Sequence, residues 1–270
     1  MRRRDAAISP VERSHDAHEV DSLHRGLEIM RGFRPGESTL SCSEIALRMG
    51  LRRATTQRLL DTLVAHQLLR QIPGTERYQP DLASLVLGHA YLTSAMIVRL
   101  ARPAMQSLSA QLGTCVVLTM RERLHMLCLD LCGQRNPAIP YQLMSVGASL
   151  PMTLTAAGRA WLWTQSGAAQ GEVIQRAKAE GGEEGARSIP GVYRAFQEME
   201  EWGYCINAGE WLRDFTSIAT AVTLQQGMTY ALSCDLGGVG VQSRLSASEV
   251  GTALLATASQ IRDAARRIGQ

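Results

Sequence analysis

Five residues in one short window, Arg52, Arg53, Thr55, Gln57 and Arg58, carry side chains that can read duplex DNA. A guanidinium takes the O6 and N7 of guanine or a phosphate, the amide of Gln57 matches the N6 and N7 edge of adenine, and Thr55 suits a phosphate oxygen or the thymine methyl. The same arginines on an isolated helix could be no more than a solvated basic face. What favours DNA is the pattern around them: a capping box, a glycine turn and a hairpin signal in the order of a winged helix-turn-helix.

Catalytic signatures are missing. The chain has no GxSxG elbow, P-loop, HExxH or SxxK motif, and Gly237-Gly238-Val239-Gly240 follows a strand pattern without opening a helix. His24, His66, His89 and His125 have no local Cys or Asp partner of nucleophile type, and the HxxH of His15 and His18 reads as accidental. The six cysteines (Cys42, Cys115, Cys128, Cys132, Cys205, Cys234) are scattered, several within apolar runs, and read as reduced core thiols. Cys128 and Cys132 form a CxxxC pair with no second Cys or His pair to complete a tetrahedral site. The expectation is a protein that is not an enzyme and needs neither metal nor cofactor.

A chain of 270 residues is comfortable for two domains, and 45% hydrophobic with 20% charged residues is ordinary for a globular protein. No apolar run approaches the roughly 20 residues of a membrane-spanning helix, and the charged N-terminal stretch lacks the apolar segment of a secretory signal. A cytoplasmic location with no membrane partner is expected. Net charge is only +3, yet residues 1–80 hold 13 Arg against 10 Asp plus Glu, while the remainder carries 15 of each sign. The whole excess of positive charge therefore lies with the DNA-reading window.

The elements that must position those residues follow from periodicity. Residues 1–19 are polar and aperiodic, a disordered arm. Leu23, Leu27, Met30 and Phe33 at spacings of three and four predict a first helix from Val20, ended by Arg34–Ser38. Ser41 and Glu44 form a capping box opening a helix over about 42–49, with Gly50 placed to stop it. Leu59, Leu60, Leu63 and Val64 mark the buried side of a third helix over about 53–66, leaving Thr55, Arg58 and Thr62 opposite. Two short strands joined at Pro73-Gly74-Thr75-Glu76 would make a wing, and Pro80 closes a DNA-binding domain of residues 20–80. Residues 81–97 read as a linker helix whose apolar residues spread over more than one face, a pattern suited to a partner chain. From 98 to 270 the pattern is mixed: a helix over about 100–112, strands CVVLTM and LHMLCLDL, helices near 155–166, 171–180 and 190–202, strands over about 216–224 and 228–234, and a terminal helix opened by Ser246 and Glu249. That order implies an α+β domain with an antiparallel sheet.

At this point the sequence resembles the IclR family of bacterial transcription regulators. The resemblance is carried by Ser22–Leu27, Ser43–Ala46 and Gly50–Leu63 in the first domain. In the second it is carried by LPMTLTAAGRA (Leu150–Ala160), WGY (Trp202–Tyr204), SIATAV (Ser217–Val222) and MTYALSCD (Met228–Asp235). It implies a C-terminal GAF-like α+β effector-binding domain, double-stranded operator DNA and a small-molecule effector as partners, and a homodimer or homotetramer. Mapped by motif, Leu150, Met152, Thr155, Ala156 and Ala157 would come from the loop and helix start, with Asn207, Phe215, Ser217, Ser233 and Asp235 from the later segment. Plain core packing is the competing reading for Leu150, Met152, Ala156 and Phe215. Arg159 stands where the family often has Lys, and Ala221 where it often has Pro. Asp235 places a second carboxylate where an anionic effector would be repelled unless that charge is paired. The function implied is control of a catabolic operon in response to a small organic acid, aromatic acids included. The alternative is a helix-turn-helix protein whose C-terminal domain serves only oligomerisation.

Overall fold

A computed structural model of the protein describes residues 20–33, 37–136, 139–213, 215–236 and 246–268. The chain divides into two compact units, Met1–Ser94 and Ala95–Gln270. The N-terminal arm, His15 and His18, and the Gly237–Gly240 run lie outside the described residues.

The first unit contains α1 (Asp21–Arg31), β1 (Leu40–Ser41), α2 (Cys42–Met49), α3 (Arg53–Ala65), β2 (Leu69–Gln71), β3 (Arg77–Pro80) and α4 (Leu82–Ser94). The capping box is formed: Glu44 N–H donates to Ser41 Oγ at 3.2 Å, and Ser41 N–H donates to the Glu44 carboxylate at 2.7 Å. That backbone hydrogen bond is the main influence holding the Glu44 pKa below the usual carboxylate value. Gly50 ends α2 at φ 62°, a left-handed conformation that a side chain would strain, and so sets the turn into α3. Thr56, Leu60 and Leu63 are the buried stripe of α3, with Val64 half-buried. The stripe packs with Ile29, Leu40, Ile45, Leu69 and Tyr78. The wing is a three-stranded sheet of order β1-β3-β2, one strand more than the sequence suggested.

Helix α4 has no buried residue, and Leu82, Leu85, Val86 and Leu87 are 64–71% exposed. It is shorter than the expected 81–97. At Ala95 the backbone is extended (φ −71°, ψ 91°), and a new helix begins at Met96 instead of near residue 100.

The second unit runs α5 (Met96–Leu112), β4 (Val116–Glu122), β5 (His125–Cys132), a 3-10 turn (Tyr141–Leu143), β6 (Ser149–Pro151), α6 (Ala156–Trp163), α7 (Gly167–Glu180), α8 (Gly182–Trp202), β7 (Cys205–Ala208), β8 (Thr216–Thr223), β9 (Thr229–Asp235) and α9 (Ala247–Ile268). Its six strands form one antiparallel sheet in the order β6-β5-β4-β9-β8-β7. Alternation decides the layers. Val116, Leu118, Ile218, Val222, Leu232 and Cys234 face α5 and α9 in one core. Ala219 and Ala231 face the opposite way, toward α6 and α8. Helix α8 passes through Pro190 and starts at Gly182, eight residues before the start that the sequence suggested. All six cysteines are buried and free. Burial pushes the Cys115 and Cys128 thiols up to about 12, far from the reactive thiolate range.

Candidate DNA interface and effector cavity

In the first unit, the start of α3 presents its residues unequally. Arg52, which caps α3 with its backbone, and Arg58 are exposed, and neither makes an ion pair or side-chain hydrogen bond among the described residues. Their guanidinium groups are available to phosphate or guanine. Arg53 is exposed and 3.4 Å from Glu76 at the wing tip, a weak and screened pairing that a phosphate could displace. Thr55 is half-buried. Gln57 donates to Asp61 at 2.8 Å and to the Tyr78 hydroxyl at 3.0 Å, so its amide ties α3 to β3. Both of its N–H groups are used, and pairing with adenine requires releasing one. In β3, Arg77 is pinned to the Thr39 hydroxyl and carbonyl at 3.0 and 2.8 Å, which makes it a brace for the wing.

In the second unit, a cavity opens on the face of the sheet opposite α5 and α9. Seven residues expected from the resemblance line it: Leu150, Thr155, Ala157, Phe215, Ser217, Ser233 and Asp235. Val117, Met144 and Trp211 complete the wall and were not foreseen. Trp211 and Phe215 stack edge to face with centroids 5.7 Å apart. The unfilled space is about 330 Å3 including the mouth, of which about 20 Å3 is wide enough to take water.

Three expected residues stand outside the lining. Met152 and Ala156 are fully buried in the core between α6, α8 and the sheet, and the Met152 backbone presses so closely on Gly158 that any side chain there would collide with it. Ala156 is therefore a packing residue, and the small residue at the wall is Ala157. Asn207 is buried behind the lining, where its Nδ2 donates to the Leu154 carbonyl at 2.9 Å and fixes the loop before α6.

Two features set the polar chemistry around the cavity. At α6, Thr155 caps the helix: its hydroxyl accepts from Gly158 N–H at 3.3 Å and donates to the Pro151 carbonyl at 2.9 Å. The N–H of Ala157, the lining residue in the first turn, carries no hydrogen bond among the described residues, so the positive end of the helix dipole offers a donor on this side. On β9, Asp235 Oδ2 is buried with no partner among the described residues. Burial raises the Asp235 pKa to about 7.

The covering segment is held by an ion pair that the sequence did not reveal. Arg159 of α6 is fully buried and donates to Glu210 twice, at 3.1 and 2.7 Å, and to the Thr153 carbonyl at 2.8 Å. Gly191 of α8 leaves the space the pair occupies, since a Cβ there would strike both side chains. Arg194 closes on the same carboxylate. Burial pushes Glu210 upward, but the hydrogen bonds and charge of Arg159, then Arg194, bring its pKa below the usual value. Glu210 precedes Trp211, so the pair anchors one wall of the cavity.

A winged helix-turn-helix followed by an α+β domain with a cavity on its sheet is the architecture of a one-component transcription regulator. The family model "Bacterial transcriptional regulator IclR C-terminal" matches residues 89–269, and the "IclR helix-turn-helix domain" matches residues 22–73. The chain belongs to the IclR family; it is a DNA-binding transcription regulator and not an enzyme. It is 30% identical to the HTH-type transcriptional regulator TsaQ1/TsaQ2 of Comamonas testosteroni over 75% of this chain and 73% of that protein. An IclR family transcriptional regulator from Brucella abortus shares its fold at TM-score 0.83 and 30% identity, covering 96% of this chain and 97% of that one. An IclR homologue from Microbacterium hydrocarbonoxydans, crystallised with 4-hydroxybenzoate, matches at TM-score 0.68 and 19% identity over 91% and 99% of the two chains. Among the described residues no single helix is long and apolar enough to cross a membrane.

Proposed function

We propose that the protein switches a catabolic operon in response to a small organic acid bound in the cavity, aromatic acids being the first class to examine. The observation that carries this is the cavity itself. Apolar and aromatic walls from Val117, Met144, Leu150, Trp211 and Phe215 meet the start of α6 at Thr155 and Ala157, where the Ala157 N–H has no partner among the described residues, an arrangement suited to a carboxylate on an apolar body. The 4-hydroxybenzoate bound by the Microbacterium homologue directs the choice of compounds.

Operator contact falls to Arg52 and Arg58, whose side chains are exposed and unpaired, with Arg53 and Thr55 toward the backbone phosphates. Gln57 reads a base only if it leaves the wing. Assembly falls to α4. Its exposed Leu82, Leu85, Val86, Leu87 and Tyr91 form an apolar surface that a second copy would cover, and a homodimer would bring two α3 helices to paired half-sites. A thermal-shift screen of the full chain against aliphatic and aromatic carboxylic acids tests the effector reading. At least one acid should raise the melting temperature by several degrees at saturating concentration, and a flat response to every acid contradicts it.

A further inference from the structure

The sheet side of the cavity is acceptor-rich. Registers in the sheet place Asn207 across from Ser217, and Ser217 across from Asp235, so the three side chains form one row on the cavity face of β7, β8 and β9. Both ends of that row hold a buried oxygen without a partner among the described residues, Asn207 Oδ1 and Asp235 Oδ2. Between and beside them are only the hydroxyls of Ser217 and Ser233, which make no hydrogen bond among the described residues. Among the described residues no Arg, Lys or His lines the cavity.

From this geometry we infer that Asp235 is a specificity-determining residue and that the effector is a hydroxy-substituted acid whose hydroxyl donates to it. The inference rests on the cavity being the effector site proposed above and names the class of acid it takes. The donors and acceptors of the site make different demands. The start of α6 offers an N–H donor to a carboxylate, whereas β9 offers acceptors and must be supplied with a donor. A bare acid leaves Asp235 unpaired and adds a second negative charge to a poorly hydrated space. A hydroxyl satisfies the carboxylate with a charge-assisted hydrogen bond, so the site discriminates against the analogue that lacks it.

The test uses calorimetric titrations of the full chain with benzoate, 3-hydroxybenzoate, 4-hydroxybenzoate and 4-(aminomethyl)benzoate. In the native protein one of the two hydroxybenzoates should bind at least about tenfold more tightly than benzoate. In Asp235→Ala the ratio should collapse toward one because benzoate binding improves as hydroxybenzoate binding weakens, a pattern that general damage to the fold does not produce. Equal affinities of benzoate and both hydroxybenzoates in the native protein, or a preference that survives Asp235→Ala, overturns the inference while leaving the acid reading standing. Tighter binding of the aminomethyl compound than of either hydroxybenzoate replaces hydroxyl by ammonium and likewise overturns it. Binding of none of the four, with none of the wider acid panel shifting the melting temperature, overturns the acid reading and this inference together.

Discussion

Asp235 is the residue at which chemistry and stability pull apart. Its pKa is about 7 in the folded protein against an unperturbed 3.8, with burial as the cause. The folded state therefore holds the proton more tightly than the unfolded chain. Below about pH 4 both states are protonated and there is no penalty; between about 4 and 7 stability falls as pH rises, and above 7 the full penalty is present. Asp235→Asn should remove it, stabilising the protein at pH 8 by up to about 4 kcal/mol and by progressively less toward pH 5. Urea denaturation of both proteins at pH 5, 6.5 and 8 checks this, and a difference independent of pH would contradict it. On the DNA side, Arg58→Ala and Arg52→Ala should each weaken operator binding by about 1–3 kcal/mol if they touch base edges, as read by mobility shift with a duplex selected from a random pool. Unchanged affinity with intact folding would remove that arginine from the contact set. The cap and turn that lead into α3 were legible because Ser41, Glu44 and Gly50 act within a few positions of one another. The hydrogen bonds of Gln57 were not, since Tyr78 reaches it only when the wing folds back.

Among elements, α6 joins the two tasks of the second unit. Its first turn faces the cavity and its Arg159 holds the segment carrying Trp211. Removing one partner of a buried ion pair strands the other charge, so Glu210→Ala should lower unfolding stability by about 3 kcal/mol, the figure being at the low end because Glu210 is a quarter exposed. Denaturant midpoints measure it, and a change below about 1 kcal/mol would mean the pair is not a clamp. Helix α4 calls for an assembly test. Light scattering at micromolar concentration should give at least twice the 29.5 kDa chain mass, and Leu85→Glu should shift it toward the monomer; a native mass of one chain would refute the role given to α4. The long elements were readable from periodicity, and the end of the chain from its Ser246 and Glu249 cap, which forms as expected. Strands β1, β6 and β7 were not read from the sequence, because two to four residues are too few to show an alternation. Pro190 was read as a helix start, whereas α8 continues through it from Gly182. Val117, Met144 and Trp211 escaped the sequence reading because the cavity exists only where distant segments meet, and nothing in their local pattern differs from core.

For the whole molecule the claim is that one unit's ligand alters the other unit's DNA affinity. A ligand does this only through a difference in affinity between DNA-competent and DNA-incompetent states, and linkage makes the effect reciprocal. Ala157→Leu narrows the cavity at a wall residue and should suppress the response to effector while sparing DNA binding in its absence, which a mobility shift with and without effector will show. The most direct measurement is a calorimetric titration of the tightest-binding acid from the screen into the full chain, alone and saturated with selected operator duplex. The effector's dissociation constant should differ between the two titrations by about 5-fold to 150-fold, by the same factor with which the effector changes operator affinity. Identical constants in the presence and absence of operator would contradict an effector-controlled regulator.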